Sequence, residues 1–81
     1  MGIRRRLPAA IAFGQVLREL RQNAGLTQEE LAFGADVRRT YVSILELGDQ
    51  QPTLTTVLKL AKALGHPASA IIEAVEARVG I

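Results

Sequence analysis

Nothing in this chain can staple it. It has no cysteine and a single histidine, His66, so neither a disulfide nor a zinc site is available to hold it together. Its 81 residues are room for one small domain, and a domain of that size buries only roughly 60–65% of the surface its unfolded chain exposes. Stability therefore has to come from dense packing or from self-association. A hydrophobic content of 48% with 4% aromatics and few β-branched runs suits a packed helical core better than a sheet. No apolar run approaches the roughly 18 residues of a membrane-spanning helix.

The same scarcity disfavours catalysis. One histidine, no cysteine and no nucleophile–base constellation leave little from which to assemble an active site. Glu29 and Glu30 are adjacent carboxylates, but neighbours on a helix point about 100° apart and do not share a proton. No metal, cofactor or small-molecule motif is present, and the expectation is a non-enzyme.

Hydrophobic spacing and helix punctuation predict five helices and no strand. Pro8 is placed as a first helical residue, and Phe13, Val16, Leu17, Leu20 and Ala24 form one apolar stripe ended by Gly25. Gly14 weakens the first turns of that helix by roughly 1 kcal/mol relative to alanine, so fraying is expected there. Thr27-Gln28-Glu29-Glu30 has the form of a capping box, in which the threonine hydroxyl and the glutamate carboxylate each take the other's backbone N–H. It opens a brief helix over Thr27–Gly34, followed by an Ala35-Asp36-Val37 turn in which Asp36 tolerates left-handed geometry. A third helix spans about Arg38 to Leu47, with Val42 and Leu45 inward and Gly48 as its stop. After the polar loop Asp49-Gln50-Gln51-Pro52, Thr53 caps a fourth helix with the stripe Leu54, Val57, Leu58, Ala61 and Leu64, ended by Gly65. Pro67 opens a fifth, over 67–81, with Ile71, Ile72, Val75 and Val79 on one side.

The net charge of +2 is unevenly spread. Residues 1–26 carry five arginines against Glu19, a net +4; residues 27–47 total −2; the remainder cancels. Arg4, Arg5 and Arg6 make residues 1–7 a basic arm ahead of a single domain over 8–81. Such an arm suits an anionic partner, nucleic acid before membrane surface, because no aromatic or long amphipathic segment accompanies it. The apolar stretch after the arginines is too short and too quickly helical for a signal peptide, and Arg6 stands where myristoylation needs Ser or Thr. The expectation is a soluble, cytoplasmic chain.

Two short helices joined by a tight turn, with the small Ala32 where they cross, have the layout of a helix-turn-helix. The stretches Leu17-Arg18-Glu19-Leu20-Arg21, Gly25-Leu26-Thr27-Gln28-Glu29-Glu30-Leu31-Ala32, Arg39-Thr40-Tyr41-Val42-Ser43, Leu45-Glu46, Gly48, Pro52-Thr53-Leu54 and Leu58-Lys59-Leu60-Ala61-Lys62-Ala63-Leu64-Gly65 resemble the phage-repressor and Cro-like, or Xre-like, helix-turn-helix domains. The resemblance covers roughly residues 13–72. It implies an all-α, compact five-helix, lambda-repressor-like DNA-binding domain, with helices two and three as the motif and helix three in the major groove. By position, Arg38, Arg39, Thr40, Ser43 and Ile44 would face base edges, Gln28 would touch phosphate and brace helix three, and Arg21 and Glu46 would form a structural ion pair.

Physical chemistry ranks these assignments. An arginine fork bonds O6 and N7 of guanine together, so Arg38 or Arg39 is the strongest candidate for base readout, the other gripping phosphate. Thr40 and Ser43 suit a base edge or phosphate, and Ile44 suits a thymine methyl or the edge of the core. The Thr27 end of helix two offers N–H groups to phosphate, and Tyr41 is expected to pack its ring and aim its hydroxyl at phosphate. Departures from the family pattern stand out. Arg38 occupies the position where relatives often have a capping serine, Leu47 and Asp49 stand where many carry basic residues or Asn, and Gly34 loosens the end of helix two. The basic arm would restore grip along a groove.

Ile72, Val79 and Ile81 are the expected dimer contacts, with Ile71 and Val75 turned inward. The resulting expectation is a homodimeric, sequence-specific regulator of double-stranded DNA, a repressor on a palindromic operator. The alternative is a protein-interaction module on the same fold, such as an antitoxin or adaptor that binds a partner protein.

Overall fold

The computed structural model describes residues 7–79, in five α-helices. These are α1 (Ala9–Asn23), α2 (Gln28–Ala35), α3 (Arg39–Leu47), α4 (Leu54–Leu64) and α5 (Ala68–Val79). There is no strand among the described residues, and no helix in them is long and apolar enough to cross a membrane. The arm residues Arg4, Arg5 and Arg6, and Ile81, lie outside the described residues.

Local chemistry sets most helix ends. The capping box is complete: Glu30 N–H donates to Thr27 Oγ1 at 3.0 Å and Thr27 N–H donates to Glu30 Oε1 at 2.9 Å. Thr53 caps α4 in the same way, accepting from Thr56 N–H at 3.1 Å. At the carboxyl ends, Gly25, Asp36, Gly48 and Gly65 all adopt positive φ. In each case the following residue's N–H bonds a carbonyl five residues back, so the chain turns without stranding helix carbonyls. Asp36, at φ 55°, does this with a side chain in place.

Several boundaries and faces differ from the sequence expectation. Pro8 is the N-cap, with extended ψ of 145°, and α1 begins at Ala9. Ala24 is the exposed C-cap of α1 and leaves the apolar stripe. α2 runs on through Gly34 to Ala35, and Arg38 is the N-cap of α3. On α4 the buried set is Thr56, Val57, Leu60, Ala61 and Leu64, while Leu54 and Leu58 face outward. The helix has two overlapping leucine stripes, and contact with α2 and α5 selects the one through Leu60.

The core joins Phe13, Val16 and Leu17 of α1 to Leu31 of α2, Val42 and Leu45 of α3, and the buried faces of α4 and α5. Ala32 is buried at the α2–α3 corner, where its small size permits the crossing. Gly14 is buried in α1 and is no site of fraying. A Cβ there would collide with the Leu45 carbonyl oxygen and sit 2.7 Å from that of Glu46. The first helix thus lies directly on the backbone of α3. Gly48, at φ 77°, continues the contact: a Cβ on it would stand 2.9 Å from Ile11 Cγ1.

Helix propensity alone would make Gly14→Ala stabilising by about 1 kcal/mol. Because the collision is with backbone carbonyls, the expected result in urea unfolding is a destabilisation of about 1–3 kcal/mol. A rise in the midpoint would show that α1 has room to back away.

Candidate nucleic-acid interface

The α2–α3 corner is locked to α1 by one acid. Glu46 points into the domain, and Arg21 meets it side-on: Nε–H donates to Oε2 at 2.6 Å and Nη2 to Oε1 at 3.0 Å. Arg21 Nη1 also donates to the Leu26 carbonyl at 2.9 Å, and Gln28 Nε2 donates to Glu46 Oε1 at 3.0 Å. Only 12% of the Arg21 side chain and 5% of Glu46 are exposed. The hydrogen bonds to Glu46 hold the Arg21 pKa above its ordinary value, against the opposing effect of burial. Among the described residues no buried side-chain N or O lacks a partner. Gln28 therefore ties the start of α2 to the end of α3 through the acid that also anchors α1.

That brace fixes which face of α3 is free. Val42 and Leu45 are buried and Tyr41 packs against the core. At about 100° per residue, Arg39, Thr40, Ser43, Ile44 and Leu47 fall on the opposite side. Arg38, Arg39 and Thr40 are exposed, while Ser43, Ile44 and Tyr41 are half-buried. Leu47, 68% exposed, was not among the sequence candidates for this face. The signal was its spacing, four residues after Ser43 and seven after Thr40.

The two helix starts of the motif differ electrostatically. At α2 the capping box already occupies the N–H groups of Thr27 and Glu30, and Glu29 and Glu30 add negative charge to the first turn. At α3 no side chain caps the helix and its first turn holds no acid. The orphan N–H groups there stand beside Arg38 and Arg39, an end suited to an anion. The motif's formal charge of −2 is also unevenly deployed. Glu46 is neutralised by Arg21 and Glu30 is held in its cap, so the positive charge stands on α3.

Other sequence candidates scatter. Val79, expected at a dimer contact, is 6% exposed and packs into its own domain. Ile72, by contrast, is exposed. Arg78 bridges α5 to α1 through Glu19, with Nη2 to Oε1 at 2.6 Å and Nη1 to Oε2 at 2.9 Å. This pair raises the Arg78 pKa and lowers that of Glu19 by their mutual hydrogen bonds. His66 is exposed. Among the described residues no cluster of His, Cys, Asp and Glu is arranged to hold a metal ion.

Removing one partner of the buried pair leaves the other charge stranded, so Arg21→Ala or Glu46→Ala is expected to cost about 3–5 kcal/mol. That is a large fraction of the roughly 4–12 kcal/mol a domain of this size possesses. The double change Arg21→Met with Glu46→Leu is expected to cost less than either single change, as read from urea midpoints.

Comparison with known proteins points one way. A helix-turn-helix family model matches residues 17–69. The control protein C.BamHI of Bacillus amyloliquefaciens is 41% identical over 56 residues, 68% of this chain and 69% of its own length. The cryptic phage CTXphi transcriptional repressor RstR of Vibrio cholerae is 37% identical over 67 residues, 83% of this chain and 60% of its own. Among solved structures, the restriction-modification controller protein C.AhdI of Aeromonas hydrophila matches with a TM-score of 0.75 at 44% identity, over 76% of this chain and 94% of that one. The clp gene regulator ClgR of Corynebacterium glutamicum matches with a TM-score of 0.87 at 25% identity, over 94% and 81%. The chain belongs to the Xre-like helix-turn-helix family of DNA-binding transcriptional regulators.

Proposed function

We propose that this protein is a homodimeric repressor that reads a palindromic operator with α3 in the major groove. The observation that carries this reading is the free face of α3, held rigid from behind by the Arg21–Glu46–Gln28 network and basic at its uncapped start. In this reading Arg38 and Arg39 reach guanine edges or the adjoining phosphates. Thr40 and Ser43 add short hydrogen bonds, and Ile44 and Leu47 supply apolar contact suited to thymine methyls. Gln28 is engaged with Glu46, so its main part is to brace. Thr27 and Tyr41 adjoin the phosphate backbone, and the arm from Arg4 to Arg6 follows a groove beside it. A dimer sets two α3 helices about one DNA turn apart, roughly 34 Å. Repression by occupying the operator needs no sensor domain, cofactor or catalytic step.

A second reading, an antitoxin or adaptor that binds another protein through this fold, draws support from Phe33. That ring is 90% exposed on the outer side of α2, on the same surface as Glu29 and Glu30.

Selection of bound duplexes from a random library at near-physiological salt tests the first reading. The expected product is a palindrome with half-sites about 10 bp apart. Arg38→Ala and Arg39→Ala are expected to lose about 1–3 kcal/mol for each bidentate base contact removed, with relaxed preference at the matching position. Binding without sequence preference that disappears with salt would reflect electrostatics alone. Retention of a protein partner by the double variant would favour the second reading.

A further inference from the structure

The free face of α3 changes character along its length. Arg38 and Arg39 stand at its start, and no Lys or Arg follows until Lys59. At about 100° per residue, Thr40 and Leu47 lie within roughly 20° of one another, near the middle of the side turned away from Val42. Ser43 and Ile44 flank them. Leu47 is 68% exposed, and neither it nor Ile44 is among the hydrophobic residues packed on the core. Just past Gly48, the exposed Asp49 is tied to this end of the helix, its N–H donating to the Ile44 carbonyl at 3.1 Å.

This end of the face cannot hold DNA by charge. Asp49 at its rim repels phosphate, and leucine and isoleucine side chains offer no hydrogen bond. What they gain on docking is removal of apolar surface from water, and that gain needs an apolar group opposite. The base edges of the major groove present hydrogen-bond donors and acceptors, with a single apolar group among them, the C5-methyl of thymine. 5-Methylcytosine carries the same methyl at the same ring position. The two bases differ at C4, carbonyl against amino, and an aliphatic side chain has no hydrogen bond with which to tell them apart.

We propose that Leu47, with Ile44 beside it, forms a subsite for a pyrimidine 5-methyl group, filled by thymine or by 5-methylcytosine. Methylation of a cytosine at that position of the DNA therefore raises the protein's affinity for it. The subsite rests on the reading of α3 given above and names a modification to which that reading responds. It is continuous with the face that bears Arg39 and Thr40. At a rise of 1.5 Å per residue, Leu47 stands about 10 Å along the helix from Thr40, against roughly 3.4 Å between successive bases of a strand. The methyl it meets belongs to a different base pair from those within reach of the arginines.

The test titrates the full chain with the selected duplex by fluorescence anisotropy at one salt concentration. Each thymine is replaced in turn by deoxyuridine, which lacks only the methyl, and each cytosine by 5-methylcytosine, in both half-sites. Deoxyuridine at the position beneath Leu47 is expected to weaken binding about fourfold per half-site, the worth of one buried methyl. At that same position cytosine should bind more weakly than thymine, and 5-methylcytosine should recover about fourfold per half-site over cytosine. L47A should bind with and without that methyl alike, while still preferring the bases read by Arg38 and Arg39. Leu47 is exposed, so the fold should be unaffected, which helical circular dichroism checks. Duplexes of both series that all bind as their parent does would overturn the subsite, as would L47A retaining the full response to the methyl. In either case a selected palindrome weakened by R38A or R39A leaves the α3 reading intact. Failure of the library to yield any sequence would overturn both.

Discussion

The closeness of α1 to the carboxyl end of α3 is the constraint on which the rest depends. Gly14 lets the helix axis approach until backbone meets backbone, with the Leu45 and Glu46 carbonyls where a side chain would be. Two turns further along α1, Arg21 reaches Glu46 on the same stretch of α3. A bulkier residue at position 14 would tilt α1 away and stretch that pair. The steric fit and the ion pair therefore act on one joint, and each makes the other geometrically possible.

A buried ion pair is not by itself a source of stability, since desolvation can consume the Coulombic gain. Here the pair's value lies in orientation. Glu46 accepts from Arg21 and Gln28 together, and Arg21 also donates to the Leu26 carbonyl in the turn before α2. Three helices and a turn share one polar junction behind α3. With a core built from few large side chains, rotation of α3 about its own axis would otherwise meet little resistance. The junction converts a short helix of nine residues into a fixed platform for Arg39, Thr40 and Ser43.

Local chemistry was readable from the chain alone. Thr27, Glu30 and Thr53 announce their caps, Asp36 announces a left-handed turn, and Val42 and Leu45 announce the inward face of α3. The pairing of Arg21 with Glu46 came through family resemblance, since 25 residues separate them and no periodicity links them. Gly14 differs: its cost to an isolated helix is visible in sequence, whereas its fit against α3 exists only after folding. On α4 two leucine stripes satisfy the same helical period, and only contact with neighbouring helices rejects Leu54 and Leu58 in favour of Leu60. Val79 and Ile72 show the same ambiguity on α5, where either edge reads as apolar.

Those rejected leucines also explain how so small a domain can be organised. A chain without cysteine has packing as its main internal resource, and α1, α2 and α3 use it to hold the motif. Burying Leu54 and Leu58 as well would require α4 to be apolar around most of its circumference. Leaving them outside costs little in the monomer, because scattered exposed leucines are ordinary on protein surfaces.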